Sequence, residues 1–527
     1  MTILRLSVRA AIATAMLIVV AAGAPAQTID GFRTFEHPTA GLSFKYPQDF
    51  KSVPTQPTEE LIIARFVREE PYLARKADRN RRPESFAVFV LKPQTTGVAA
   101  ASDPPRSHEE AVARANAITG LDLFLKSRYG EVKLVPLAAG LKAKKGYDEW
   151  KMTAPVRGYV YTREAGGRTV GVVGFADEEV YDAMSKRFRT VGQTLRKSDG
   201  DKALDQALEY YDDKDFRDPG FRAAVRAKLL KGWQARDTEN FLIISNSDNA
   251  KMVSKIAADL EAIRPLYMTY FQPVKEIEAV SVVRICKDFD EYRRYGGPQG
   301  SGGYWNPVAK ELVFFDYAKV PKSADTNSRH ADERDAYIVL YHEAFHQYIY
   351  YAAGEIAPHS WFNEGLGDVF SGTVIYTDSL RVKEVGLNRW RIHVVREANE
   401  TDKWIPLAEL FKAEQHEYYN REKVRWMYAE GWSLCYFLMI AKDGAQDNPE
   451  WRSIIPDYFA ELKRASDAKV KALPKEAKIG ERMEAEKAAR EQALKFALEG
   501  VDVDALETAW RAWIKKTKDP WVATRKT

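Results

Sequence analysis

The chain has 527 residues with 79 Lys and Arg against 75 Asp and Glu, a formal charge of +4. It is 45% hydrophobic and 29% charged, a globular composition that is too long for one core and predicts two or three domains. So balanced a charge gives no reason to expect a nucleic acid or an acidic polymer as partner.

At the N-terminus Arg5 and Arg9 precede an apolar run over residues 10–24, and Ala24-Pro25-Ala26 fits a small-x-small cleavage site. Residues 1–26 are therefore read as a signal peptide cleaved after Ala26, which implies a periplasmic or secreted protein. The run is short for a bilayer, and no later stretch is long and apolar enough to span one, so no membrane span is expected in the mature chain.

Residues 28–198 read as a separate α+β module. Strands are predicted at 41–47 and 86–91. A capping box at Ser107-His108-Glu109-Glu110 opens a helix toward Arg128. Strands follow at 133–136, 147–154, 158–164 and 169–175, the last two joined by a Gly166-Gly167 hairpin turn. A closing helix covers 178–195. His37 and His108 stand alone and are read as ordinary surface or core residues. The opening Gly41-Leu42-Ser43-Phe44-Lys45-Tyr46-Pro47 and the final helix are similar to PsbP-like modules, and that resemblance implies an α/β/α arrangement with a docking or binding role.

Residues 199–239 are charged and read as a helical linker. The next unit, 240–380, is predicted to hold a small mixed sheet with strands at 241–245, 279–286 and 311–316, and a helix over 249–271. Its marked feature is His342-Glu343-Ala344-Phe345-His346. On a helix, positions four apart lie on one face, so both imidazoles can hold one metal ion, and Glu343 can act as base toward a water there. Ser328 or Asp332 can start this helix and Gly354 can end it. Ile338, His342, Phe345, His346 and Ile349 form its apolar stripe.

Zinc in a hydrolase takes three protein ligands and keeps one open position. A Gly three residues and a His six residues beyond His346 would make a metzincin, but Ile349 and Ala352 stand there. Trp361-Phe362-Asn363-Glu364-Gly365 fits better. A second helix capped by Ser360 and turned back on the first would bring Glu364 to the two histidines. Asp368, one turn further, can accept the free ring N–H of one of them.

Together these segments resemble the gluzincin (peptidase MA) clan. The resemblance implies His342, His346 and Glu364 as ligands of one Zn2+ per chain, Glu343 as base and Asp368 as the support of a ligand. Tyr428-Ala429-Glu430-Gly431 is similar to the Tyr-x-x-Gly segment of M1-like enzymes, which would make Tyr428 an oxyanion donor. Tyr428, Trp432 and Tyr436 also have the spacing of a packed helix face. The Gly-x-Met-Glu-Asn segment of M1 aminopeptidases is absent, its nearest equivalent being Gly302-Gly303-Tyr304-Trp305-Asn306-Pro307, which speaks against exopeptidase action. The order of segments from Phe241 to Trp513 is similar to an uncharacterised family of bacterial gluzincin-like domains.

Residues 381–527 are predicted mostly helical and part of the same domain, with interleaved acids and bases over 469–495 marking solvated faces. Cys286 and Cys435 are read as buried free thiols. The expected fold class is α+β. The expected function is an exported zinc metallopeptidase acting on a peptide or protein substrate. The competing expectation is a catalytically silent metalloprotease fold that binds a partner in the cell envelope.

Overall fold

The computed structural model describes residues 31–521 except 38–41, 56–60, 70–83, 92–119, 130, 137–147, 153–156, 166–167, 177–179, 198–216, 218, 228, 299–300, 308, 318–332, 377–380, 475–476 and 478. The signal segment, the capping box at 107–110, the Gly166-Gly167 turn and the caps at Ser328 and Asp332 lie outside the described residues. The fold is α+β, as the alternation of strand-like and helical segments implies.

In the first part, β1 (Phe32–Glu36), β2 (Leu42–Pro47), β3 (Phe50–Val53), β4 (Ile62–Arg68) and β5 (Ser85–Val90) precede α1 (Leu121–Tyr129). Then come β6 (Leu134–Pro136), β7 (Asp148–Met152), β8 (Gly158–Ala165), β9 (Arg168–Phe175), α2 (Tyr181–Thr194) and β10 (Arg196–Lys197). Seven strands form an antiparallel sheet in the order β3-β4-β5-β9-β8-β7-β6. Neighbouring side chains on β5 go to opposite cores. Phe86, Val88 and Val90 pack with Met184, Phe188 and Val191 of α2, while Ala87 and Phe89 pack with Phe124 and Leu125 of α1. A sheet covered on both faces needs continuous rather than alternating apolar strands, and β5 is buried at every position. β1, β3 and β4 were not anticipated. β1 is mostly exposed and β3 has four residues, so neither carries a period-two signal.

The stretch read as a helical linker is corrected by the structure. It contains α3 (Phe221–Ala227), but also β11 (Gln234–Asp237), which pairs antiparallel with β12 (Phe241–Ser245) and belongs to the next sheet. As a largely exposed edge strand, β11 shows no apolar alternation. The chain continues through α4 (Ala250–Tyr270), β13 (Ser281–Cys286), α5 (Phe289–Tyr295), β14 (Gly303–Asn306) and β15 (Glu311–Phe315). The sheet order is β11-β12-β13-β15-β14. β12, β13 and β15 run parallel, and β14 is an antiparallel edge.

Two helices then lie beside this sheet, α6 (Glu333–Ala352) and α7 (Ser360–Phe370), followed by a small hairpin of β16 (Thr373–Ile375) and β17 (Val382–Val385). The rest is helical: α8 (Ile392–Glu400), α9 (Leu407–Lys412), α10 (Gln415–Tyr418), α11 (Val424–Met439), α12 (Pro449–Lys469), α13 (Ile479–Ala497) and α14 (Val503–Lys516). Where a single apolar stripe was expected, α6 is buried almost all round. Leu340, Tyr341, Phe345, Tyr348 and Ile349 join one core with α4, α7, α11 and α12. Cys286 and Cys435 are both free and buried. Among the described residues no helix is long and apolar enough to cross a membrane.

The two parts share a packed cluster. Val53 and Val67 of the first sheet are buried with Tyr292, Tyr295, Phe315 and Val339 of the second part.

Candidate metal centre

α6 ends as its sequence requires. Gly354 has φ +87°, a left-handed conformation that suits glycine, and the Glu355 N–H returns to the Tyr350 carbonyl at 2.8 Å. The chain then reverses into α7. The expected Ser360 cap shifts by one residue. His359 stands at the cap position without a side-chain cap bond, and its own N–H is held by Tyr458 Oη at 2.8 Å. The buried Tyr458 therefore sets where α7 begins.

This reversal brings three ligand atoms together. The Nε2 atoms of His342 and His346 lie 2.9 Å apart. Glu364 Oε2 is 3.1 Å from the first and 3.4 Å from the second. All three residues are buried. The opposite ring nitrogens are both engaged: His346 Nδ1 lies 2.9 Å from Asn363 Oδ1, and His342 Nδ1 faces Asp368 Oδ1 at 3.2 Å. In the tautomer with both Nδ1 atoms as donors, both Nε2 atoms would present lone pairs beside a carboxylate oxygen. Three such atoms could together hold one metal ion.

The donor set fits zinc. Tetrahedral coordination with bonds of about 2.0–2.2 Å puts ligand atoms about 3.3–3.5 Å apart, within a few tenths of the separations seen. Burial by itself would lower the His342 pKa, but hydrogen bonds and charge from Asp368 and Glu364 outweigh it and hold it at about 10. Burial would raise the Glu364 pKa, but the two imidazoles keep it well below the usual carboxylate range.

The surrounding residues fix these groups. Asp368 accepts from Arg391 Nε at 2.6 Å and from Asn388 Nδ2 at 3.4 Å. The Arg391 guanidinium lies 4.6 Å from the centre of the Tyr428 ring. Tyr428 in turn stacks near His342, with centroids 6.2 Å apart and planes at 27°. Glu343 Oε2 accepts the Trp305 main-chain N–H at 2.9 Å, so the edge strand β14 holds this carboxylate. Burial raises the Glu343 pKa above the usual range, which suits a group that must take up a proton. Glu364 Oε1 accepts from Tyr419 Oη at 2.5 Å.

No family profile and no curated protein matches the chain. Among solved structures, it is similar to cyanobacterial PsbP (CyanoP) from Synechocystis sp. PCC 6803. The identity is 12%, over 33% of this chain and 96% of that one, with a TM-score of 0.21. A likeness of that size carries no argument about fold or activity.

All the residues singled out in the sequence meet at this place: His342, His346 and Glu364 as a convergent set, Asp368 behind His342, and Glu343 and Tyr428 on its flanks. Asn363, Tyr419, Arg391 and the Trp305 N–H were missed. Asn363 had a readable signal, since it adjoins Glu364 in the first turn of α7. The others come from segments without periodicity, or from the backbone itself.

Proposed function

We propose that the chain is an exported zinc-dependent metallopeptidase. The observation that carries this reading is the convergence of two back-bonded imidazoles and one carboxylate oxygen, with a second carboxylate, Glu343, beside them. A bound zinc ion supplies a Lewis acid for the scissile carbonyl and lowers the pKa of a water. Glu343, held by the Trp305 N–H, takes the proton of the attacking water and delivers it to the leaving amine. Asp368, anchored by Arg391, keeps the His342 ring in one tautomer. Tyr428 keeps its proton, because burial and then the Glu364 charge raise its pKa well above normal, so it is available as a donor to an oxyanion. The gluzincin-like arrangement and export through the signal segment at 1–26 belong to the same proposal.

The purified mature chain should carry about one zinc per molecule, and His346→Ala should lose it. Digestion of a peptide library should disappear in Glu343→Gln while the zinc stays. Zinc without cleavage of any library peptide would overturn the peptidase reading and leave a binding protein. A chain that takes up no zinc would overturn the metallopeptidase reading at its root.

A further inference from the structure

The two oxygens of Glu364 face different partners. Oε2 faces the two imidazoles, and Oε1 accepts from the phenol of Tyr419 at 2.5 Å. The Tyr428 ring packs edge-on against that of Tyr419, with centroids 6.1 Å apart. Tyr419 is placed firmly. It directly follows α10, whose capping box closes between Glu414 and Glu417, and the neighbouring Tyr418 Oη ties the turn to the Met427 carbonyl at 2.8 Å. Unlike Tyr418, which is fully buried, Tyr419 is 40% exposed, so a packing role alone does not explain where it sits.

A carboxylate can bind a cation through one oxygen or both. If Glu364 used both, a fifth ligand atom would crowd the position that a hydrolase must leave open to water. We propose that Tyr419 is a positioning residue that holds Oε1 aside and limits Glu364 to one ligating oxygen. This inference rests on the reading of the site as a metal centre.

Cobalt substitution of the full mature chain tests it, because the visible bands of Co2+ weaken as its coordination number rises. The wild type should take up one Co2+ and give the intense bands of a four-coordinate ion. Tyr419→Phe should give weaker bands and an affinity lower by about tenfold, with its circular dichroism unchanged. Tyr419→Ser should match the Phe variant. A wild type that binds no Co2+ defeats the metal reading itself. A wild type that binds Co2+, with Tyr419→Phe identical in spectrum and affinity, overturns this inference and leaves that reading standing. A change confined to the Ser variant assigns the effect to ring packing and likewise overturns it.

Discussion

The His342 imidazole is confined on every side. Nε2 meets Glu364 and His346, Nδ1 meets Asp368, and the Tyr428 ring stacks near it. Gly367 closes the remaining side. A Cβ there would lie 2.9 Å from His342 Cε1 and Nδ1. Because the ring has nowhere to go, Gly367→Ala should displace it and lower zinc affinity about tenfold, as read by competition with a chromogenic chelator. An unchanged affinity would show that the ring can yield. At this scale the sequence was most informative about groups that sit at helical spacing. His342, Glu343, His346, Glu364 and Asp368 lie on two helices, and the turn geometry fixes which of them face each other. Tyr419 lies at the end of a four-residue helix, and the Trp305 donor is a main-chain N–H that no residue letter records.

α7 carries Glu364, and where it lies depends on how closely it crosses α11. Two glycines make that approach possible. A Cβ on Gly365 would lie 2.5 Å from the Gly431 carbonyl oxygen and 2.8 Å from Cys435 Sγ. Backbone cannot rotate away as a flexible side chain can. Gly365→Ala should therefore push the helices apart and cost about 2 kcal/mol, seen as a lower urea midpoint. If stability is unchanged, the crossing is looser than these contacts imply. α11 was legible from the helical spacing of Tyr428, Trp432 and Tyr436, and α7 from a capping residue ahead of Glu364. Their crossing partner was not, because Gly365 and Gly431 matter through contacts between segments that are 66 positions apart, from 365 to 431. Short elements failed for a related reason: β14 has four residues and is defined by its pairing with β15 rather than by any pattern of its own.

Across the whole molecule the first part is anchored by charge as well as by its two cores. Asp49 accepts from Arg68 Nε at 2.8 Å and from Arg187 Nη1 at 3.0 Å, linking the β2–β3 turn to β4 and α2. All three residues are buried. Burial alone would raise the Asp49 pKa, but Arg187 and then Arg68 outweigh it and lower it. A carboxylate with a depressed folded pKa stabilises the fold above its unfolded value and ceases to do so as pH falls through the folded one. Asp49→Asn should cost about 3 kcal/mol at neutral pH, because it leaves two buried guanidinium groups without their anion. The difference from wild type should hold from neutral pH down to about 5 and close below about 4. A difference independent of pH would show that shape rather than charge is responsible. Several strands of this part, β5 among them, were legible in the sequence, but its junction with the second part was not. Val53 and Val67 are ordinary core letters until Tyr292, Tyr295 and Val339 are seen around them.

The two thiols fall at informative places. Cys286 lies in the cluster that joins the two parts, and Cys435 lies under the crossing of α7 and α11. Burial raises the pKa of both, so in the closed molecule neither is an accessible thiolate. The protein thus carries two built-in reporters of opening. A labelling reagent that reaches Cys286 has caught the junction parting, and one that reaches Cys435 has caught the helices of the metal centre coming undone.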